Sequence, residues 1–549
     1  MEADFEVALS ESTEPKKSSR SLARIASIVA AATLISKIFG LVRQQAIAAA
    51  FGVGPAVDAY NYAYVIPGFL LVLLGGINGP FHSAIVSVVA KRKQEEIAPL
   101  VETITTLVGG VLLLVSVLIV LYADPLMSVV APGLNQTPEG LEIRAIAVQQ
   151  LRIMAPMALL AGLIGIGFGT LNAADQYWLP SVSPLFSSVS VLVGLGILVA
   201  HLGTAITDPQ YAYVGGMVLA WSTLAGAALQ WLVQVPTQWR SGLGRLRLRF
   251  DFGQSGVQEV MRILAPATFS SGMMQINVYT DLFFASYIPQ AAAALGYANL
   301  LVQTPLGIIS NVILVPLLPV FSRLAEPSQW GELKQRIRQG LVLTALTMLP
   351  LGAIIMALAF PIVQVIYERF AFDQEASVLV SYVLFVYGLG MFFYLGRDVL
   401  VRVFYALGDA DTPFRVSVFN IFLNALLDFL LIKPFGVGGL VLATVGVNIT
   451  SMLAFLWILD RRLQGLPWRE WLVPFVQLTG ASVAAGLSGW GVLTLLERSL
   501  PLEGLLAQLI ELALGGGIAL GVFALIASRL GLPEFDLLVE RLRGRFRRS

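Results

Sequence analysis

The stretch "FNIFLNALLDFLLIKPFGVGGLVLATVGV", residues 419–447, decides the fold class. An apolar run of about 20 residues is long enough to cross a bilayer. Residues 413–432 and 437–459 therefore read as two consecutive membrane spans. The first of them nevertheless keeps Asn424 and Asp428, one helical turn apart. A charge inside such a run costs free energy, so it is either paired or functional.

The rest of the chain has the same character. Of 549 residues, 57% are hydrophobic and 13% charged, against about 25% charged in a soluble domain. A soluble core could not hide that much apolar sequence, so the chain reads as an all-α polytopic membrane protein. The absence of cysteine excludes a disulfide framework and a thiol nucleophile. Two histidines, His82 and His201, are too few for a histidine-based metal centre. No Walker lysine motif is present, so ATP is not the direct energy source. Nucleic acid is not expected as a partner.

Fourteen spans are expected, at 22–50, 58–89, 100–122, 145–172, 181–202, 211–235, 257–287, 291–322, 338–366, 376–407, 413–432, 437–459, 470–496 and 504–528. Cytoplasmic loops collect Lys and Arg. Alternate loops carry Lys91-Arg92-Lys93, then Arg240, Arg245, Arg247 and Arg249, then Arg323, Lys334, Arg336 and Arg338, then Arg461, Arg462 and Arg469. Both termini are therefore expected in the cytoplasm.

"VGGMVLA" (214–220) recurs as "VGGLVLA" (437–443), 223 residues on (437 − 214). "LNAADQYWLP" (171–180) resembles "FYALGDADTP" (404–413) at an offset of 233 (413 − 180), and Tyr64 and Asn78 match Tyr297 and Asn311 at that same offset. These matches predict two parallel six-helix repeats with two C-terminal helices appended. The expected divisions are a disordered cytoplasmic tail at 1–21, six-helix halves at 22–236 and 257–460, appended helices at 470–528, and a basic cytoplasmic tail at 529–549. Parallel halves with a site between them are a transporter architecture.

Several polar residues lie inside these spans. Lys37 and Arg43 flank Gly40, where a bend could turn both toward a cavity; the alternative is that either snorkels to a membrane surface. Asp58 opens the second span and reads as a helix cap or a cavity charge. The run "GGINGP" (75–80) should interrupt that span, and His82 beyond it reads as a packed polar residue. Asp398 and Arg402 have the spacing of an i,i+4 ion pair, which leaves Arg397 without a local partner. Asp281, Asn424, Asp428 and Thr444 form an oxygen-only set suited to Na+ or to a shared proton. Interhelical hydrogen bonding is the alternative for such residues. The glycine stripes "GLIGIGFG" (162–169) and "GGGIALG" (515–521) read as close helix packing.

The residues "SKIFGLVRQ", "FGVGPAVDAYNYAYVIPG" and "FYALGDADTPFRVSV" resemble the MurJ (MviN) family of lipid II flippases, within the MATE-like MOP superfamily. The resemblance covers nearly the whole chain and implies alternating access of an undecaprenyl-diphosphate-linked peptidoglycan precursor across the bacterial inner membrane. By it, spans 1, 2, 7 and 8 would line a cavity. Lys37 and Arg43 would meet the diphosphate, Asp58 would set the cavity's electrostatics, and spans 13 and 14 would hold the lipid tail; Arg397, a cavity candidate by its spacing alone, joins them as a substrate-binding candidate. Asp281, Asn424, Asp428 and Thr444 match a sodium site found in some members, so coupling to Na+ or H+ is implied, with no other cofactor. The expected partners are the polyprenyl-linked lipid and the bilayer, and the expected state is a monomer. The sequence departs from the family where arginines are usual: Leu71 and Val72 follow the second-span proline, and Leu300 stands in span 8. The alternatives are a flippase for another lipid-linked oligosaccharide and a MATE-like drug exporter. A membrane glycosyltransferase would need a carboxylate cluster that the short outer loops do not supply.

Overall fold

A computed structural model describes residues 16–76, 79–273, 276–499, 504–536 and 539. The N-terminal tail up to residue 15 and nearly all of the basic tail beyond 536 lie outside these. No strand occurs among the described residues. Ten helices there are long and apolar enough to cross a membrane, or eleven if one bent pair counts as a single span.

The chain divides into two compact units. The first comprises Met1–Phe51, Pro55–Val129 and Leu141–Gln275. Its helices are α1 (Lys16–Phe51), α2 (Pro55–Gly75), α3 (Pro80–Val89), α4 (Gln94–Leu121), α5 (Ala123–Val130), α6 (Pro138–Met154), α7 (Met157–Ala173), α8 (Trp178–Val182), α9 (Pro184–Leu202), α10 (Ala212–Leu232), α11 (Val235–Arg240) and α12 (Ser255–Met273). The expected interruption at "GGINGP" separates α2 from α3. The core gathers around α7, which packs on α2, α3 and α4 and brings Ala161, Ile166 and Leu171 against Ile85, Ile104 and Val260. Glycine lets these backbones approach: a Cβ at Gly165 would lie 2.0 Å from the Leu74 carbonyl oxygen. The chain bends by 41° between α6 and α7, where Pro156 removes a backbone donor. Val257, Val260 and Leu264 of α12, from the start of the expected second half at 257–460, join the core of this first unit.

The second unit comprises Gly52–Gly54, Val130–Gly140 and Ile276–Ser549. It holds α13 (Ile276–Ala285), α14 (Ala291–Arg323), α15 (Trp330–Ala357), α16 (Ala359–Tyr367), α17 (Gln374–Ala406), α18 (Asp411–Arg462), α19 (Trp468–Ser499) and α20 (Leu505–Arg529). Here α17 is central, packed by α14, α15 and α18, while α19 pairs with α20. The 52-residue α18 is two arms, because Gly436 (φ 54°, ψ −133°) is not helical and Pro434 precedes it. Each arm exceeds the roughly 20 residues that cross a bilayer. Gly439 permits the tight return, since a Cβ there would meet the Leu431 carbonyl oxygen at 2.2 Å. Within the expected span 257–287, described residues up to Met273 lie in α12 and those from Ile276 to Ala285 in α13.

Local geometry recurs along the chain. Gly140 N donates to Thr137 Oγ1 (3.0 Å) at the start of α6, and Ala376 N donates to Asp373 Oδ1 (2.8 Å) at the start of α17, 236 residues on (373 − 137). Past the α6–α7 bend the offset is 233: Asp175 (φ 59°) and Gly408 (φ 73°) are left-handed, and the backbone bonds Gln176 N→Leu171 O and Asp409 N→Phe404 O are both 2.9 Å. The same left-handed helix stop thus ends both segments. The bend at Pro156 accommodates three extra residues. Because α2 and α14 begin at Pro55 and Ala291, 236 apart (291 − 55), the Tyr64–Tyr297 match falls three residues out of register; Asn78 lies outside the described residues.

Candidate substrate and cation site

In the first unit, α1 continues through Gly40 without a break. Lys37 and Arg43 therefore project from different faces of one helix, with Lys37 exposed and Arg43 half-buried. The Arg43 Nε is buried and has no hydrogen-bond partner among the described residues. Asp58 lies inside the first turn of α2, not at its cap, and is 2% exposed. Tyr60 and Tyr64 stack one turn apart on α2, centroids 5.4 Å apart, and the Tyr60 hydroxyl meets Thr223 Oγ1 at 2.9 Å. His82 is packed as expected, its Nε2 at 2.7 Å from the Asn172 amide.

In the second unit, the expected Asp398–Arg402 pair is replaced by another. Arg397 Nη2 donates to Asp398 Oδ1 at 2.9 Å, and its guanidinium stands 5.4 Å from the Tyr394 ring centroid. A long guanidinium curls back to a neighbouring carboxylate that backbone spacing alone would send elsewhere. Arg397 is thus not the partnerless cation the spacing implied.

The other four residues are brought together. The Asn424 amide uses both hydrogens, donating to Asp281 Oδ1 at 2.7 Å and to Asp428 Oδ2 at 2.9 Å. Thr444 Oγ1 donates to Asp281 Oδ2 at 3.3 Å. Asn424 and Asp428 share one face of the first arm of α18, Thr444 comes from its second arm, and Asp281 from α13. Asp428 is fully buried and Asn424 1% exposed. Two adjacent carboxylates in an apolar interior require a cation or a proton between them. Asp428 Oδ1 and Asn424 Oδ1 are buried without a hydrogen-bond partner among the described residues. Two orphaned oxygens leave the set with spare acceptor capacity for a proton or a small hard cation. No group of three His, Cys, Asp or Glu suited to a metal occurs among the described residues, so the set carries the charge of two carboxylates at most.

The sequence reading missed the continuation of this polar face. Asn448 Nδ2 donates to the Thr444 carbonyl at 2.8 Å, and Asn420 Nδ2 donates to Ser451 Oγ at 2.8 Å. Both asparagines stand four residues from members of the set, and that i,i+4 spacing was the available signal.

Residues 47–509 match the family model described as "Lipid II flippase MurJ". A Synechocystis sp. protein named "Probable lipid II flippase MurJ" is 60% identical over 97% of this chain and 99% of its own length. A solved structure titled "Lipid II flippase MurJ, inward closed conformation" superposes with a TM-score of 0.72 at 20% identity, covering 91% of this chain and 98% of that one. A multidrug resistance MATE family transporter of the MOP superfamily, in an inward-facing conformation, follows at 0.57 and 16%, over 80% and 98%. With a family model matched over most of its length and a relative this similar end to end, the chain belongs to the MurJ lipid II flippase family.

Proposed function

We propose that this protein is a transporter, not an enzyme, that flips the undecaprenyl-diphosphate-linked peptidoglycan precursor lipid II across the bacterial inner membrane by alternating access. The observation that carries this reading is family membership along nearly the whole chain. The buried Nε of Arg43, inside a membrane helix and without a hydrogen-bond partner among the described residues, supports it. Lys37 and Arg43 then offer ionic contacts to the diphosphate, which gain strength away from bulk water. Asp58, buried beside the start of α2, tempers that positive charge. Arg397, neutralised by Asp398, is assigned a structural part with its partner rather than a first contact to phosphate.

Fourteen spans in a 6 + 6 + 2 order are supported by the two arms of α18 and by the recurring caps and helix stops at fixed offsets. The basic loops support a cytoplasmic position for both termini. A sodium ion would be held by Asp281, Asn424, Asp428 and Thr444, supplying positive charge between the two carboxylates. Asp281 and Asp428 balance the ion, and Asn424 and Thr444 orient them. Occupancy then ties α13 to both arms of α18.

A second reading, a flippase for a different lipid-linked oligosaccharide, is favoured by Leu71, Val72 and Leu300 at positions where family arginines are usual. Complementation separates the two. The chain should support growth of a strain depleted of its own lipid II flippase. Failure despite normal membrane expression would overturn the lipid II assignment and leave the second reading.

A further inference from the structure

Residues 241–254 connect α11 to α12 and contain "RLRLRFDF" (245–252), arginine alternating with leucine and phenylalanine. The segment starts from a fixed point: Leu243 is buried in the first unit's core, and Gly244 has a positive φ (117°), where an added Cβ would meet Val101 Cγ1 at 3.3 Å. Two backbone bonds then hold it along α4. Arg245 N donates to Glu102 Oε1 at 3.0 Å and Arg249 N to Thr106 Oγ1 at 3.0 Å. Although held in this way, its apolar side chains point outward: Leu246 is 53%, Leu248 80%, Phe250 70% and Phe252 42% exposed.

The depth of the segment follows from α4. That helix is a membrane span ending at Leu121. Counting back the roughly 20 residues of a hydrocarbon crossing reaches Glu102. The bonds to Glu102 and Thr106 therefore place the segment at the hydrocarbon boundary, among the headgroups. Trp239, 46% exposed on α11, and the edge-to-face pair of Phe250 and Phe252 (centroids 5.9 Å apart) are the aromatic side chains favoured at that level.

We propose that residues 245–252 are an interfacial lipid-binding loop for acidic glycerophospholipids. Arg245, Arg247 and Arg249 take the headgroup phosphates, while Leu246, Leu248, Phe250 and Phe252 enter the acyl layer. Three arginines face one aspartate, Asp251, whose carboxylate is engaged by Gln254 at 2.6 Å. No ion pair to the three arginines occurs among the described residues, whereas nearby Arg92 is paired with Glu96 and Glu259. The neighbouring cavity of about 320 Å³ is lined by Glu95 and Glu96 as well as Arg92 and Arg249, so its charges balance, and the excess positive charge lies on the exposed loop. Arginines at such a surface each contribute a modest, additive attraction to acidic lipid. The proposal is independent of what the protein transports.

The chain has no cysteine, so Leu248→Cys gives a single labelling site. The purified full-length protein, carrying an environment-sensitive fluorophore there, is placed in nanodiscs of phosphatidylglycerol or phosphatidylcholine. Quenching by acyl-chain nitroxide lipids, and little quenching by aqueous iodide, is expected. Thermal stabilisation by phosphatidylglycerol over phosphatidylcholine should weaken about fivefold in apparent lipid affinity per arginine replaced, measured first in Arg247→Gln, whose side chain is exposed, and then in the triple Gln variant. Iodide quenching without lipid quenching would show the loop lying in water, free for a protein partner, and would overturn the proposal. Equal stabilisation by the two lipids in the unmodified chain would do the same.

Discussion

Asn424 donates to the carboxylate of Asp281 across 2.7 Å, although 143 residues separate them in sequence. The same amide nitrogen reaches Asp428, so the two carboxylates lie within two hydrogen-bond lengths of each other. One neutral side chain thereby spans two acids in a membrane interior, an arrangement that a cation or a proton would stabilise.

Asp428→Asn keeps the size and hydrogen-bonding capacity of the side chain but removes its charge. Sodium should raise the apparent Tm of the unmodified protein relative to potassium, and that increment should vanish in the variant. The variant should still elute as a monodisperse protein. A sodium increment of equal size in both proteins would remove Asp428 from the ion site.

Arg43→Ala should impair complementation while leaving membrane expression intact, and Lys37→Ala should act in the same direction. A hydrogen bond to a charged group is worth about 1.5–3 kcal/mol, so each loss should cost at least roughly tenfold in transport. Arg43 Nε has no partner among the described residues, so no acceptor is left unsatisfied at that atom by its removal. Full growth of the double alanine variant as sole flippase would assign the diphosphate to other residues.

Topology is open to a cysteine scan on a cysteine-free background. A cysteine replacing Ser241 or Gln464, in the basic loops, should resist an impermeant maleimide in intact spheroplasts and react after lysis. One replacing Thr207 should react in both. Labelling of the Gln464 position from outside would break the even span count and the inside placement of the tail.

The grouping of Asp281, Asn424, Asp428 and Thr444 was legible in the sequence because a polar residue in an apolar span has few places to go, and i,i+4 spacing fixes its face. The hairpin within α18 was legible from Pro434 and Gly436. The Arg397–Asp398 pair was not, because helical spacing locates Cβ atoms and says little about where a long guanidinium ends. The recurrence of local geometry was foreshadowed by matching glycine runs, but its register was not: three extra residues at the Pro156 bend, and the turns at 203–211 against the single Gly436, shift the offset in ways that only backbone geometry reveals. The loop at 245–252 read simply as positive charge, since its depth depends on which helix its backbone bonds to.

Asp409 stands at the turn between α17 and α18, in the segment that resembles the family's signature. Its Oδ1 accepts from Thr412 N at 2.9 Å and its Oδ2 from Thr412 Oγ1 at 2.8 Å, and Arg462 at the far end of α18 pairs with it. Partial burial pushes this carboxyl up, but the Thr412 backbone, the Thr412 hydroxyl and Arg462 outweigh it and hold the group below the usual carboxylate range. A depressed carboxyl contributes stability that is fully present above its unfolded value, about 3.9, and is lost as the pH falls through its folded value. Asp409→Asn should therefore lower stability by about 0.5–1 kcal/mol, the scale of a partly exposed ion pair, and read as a lower apparent Tm in detergent. The deficit should stay constant from pH 8 down to about pH 5. Below roughly pH 4 it should begin to close, as the unfolded chain takes up the proton first, and it should vanish once the pH has fallen through the folded value. A deficit unchanged at pH 3 would mean that the substitution acts through packing and that the charge of Asp409 contributes nothing to the turn.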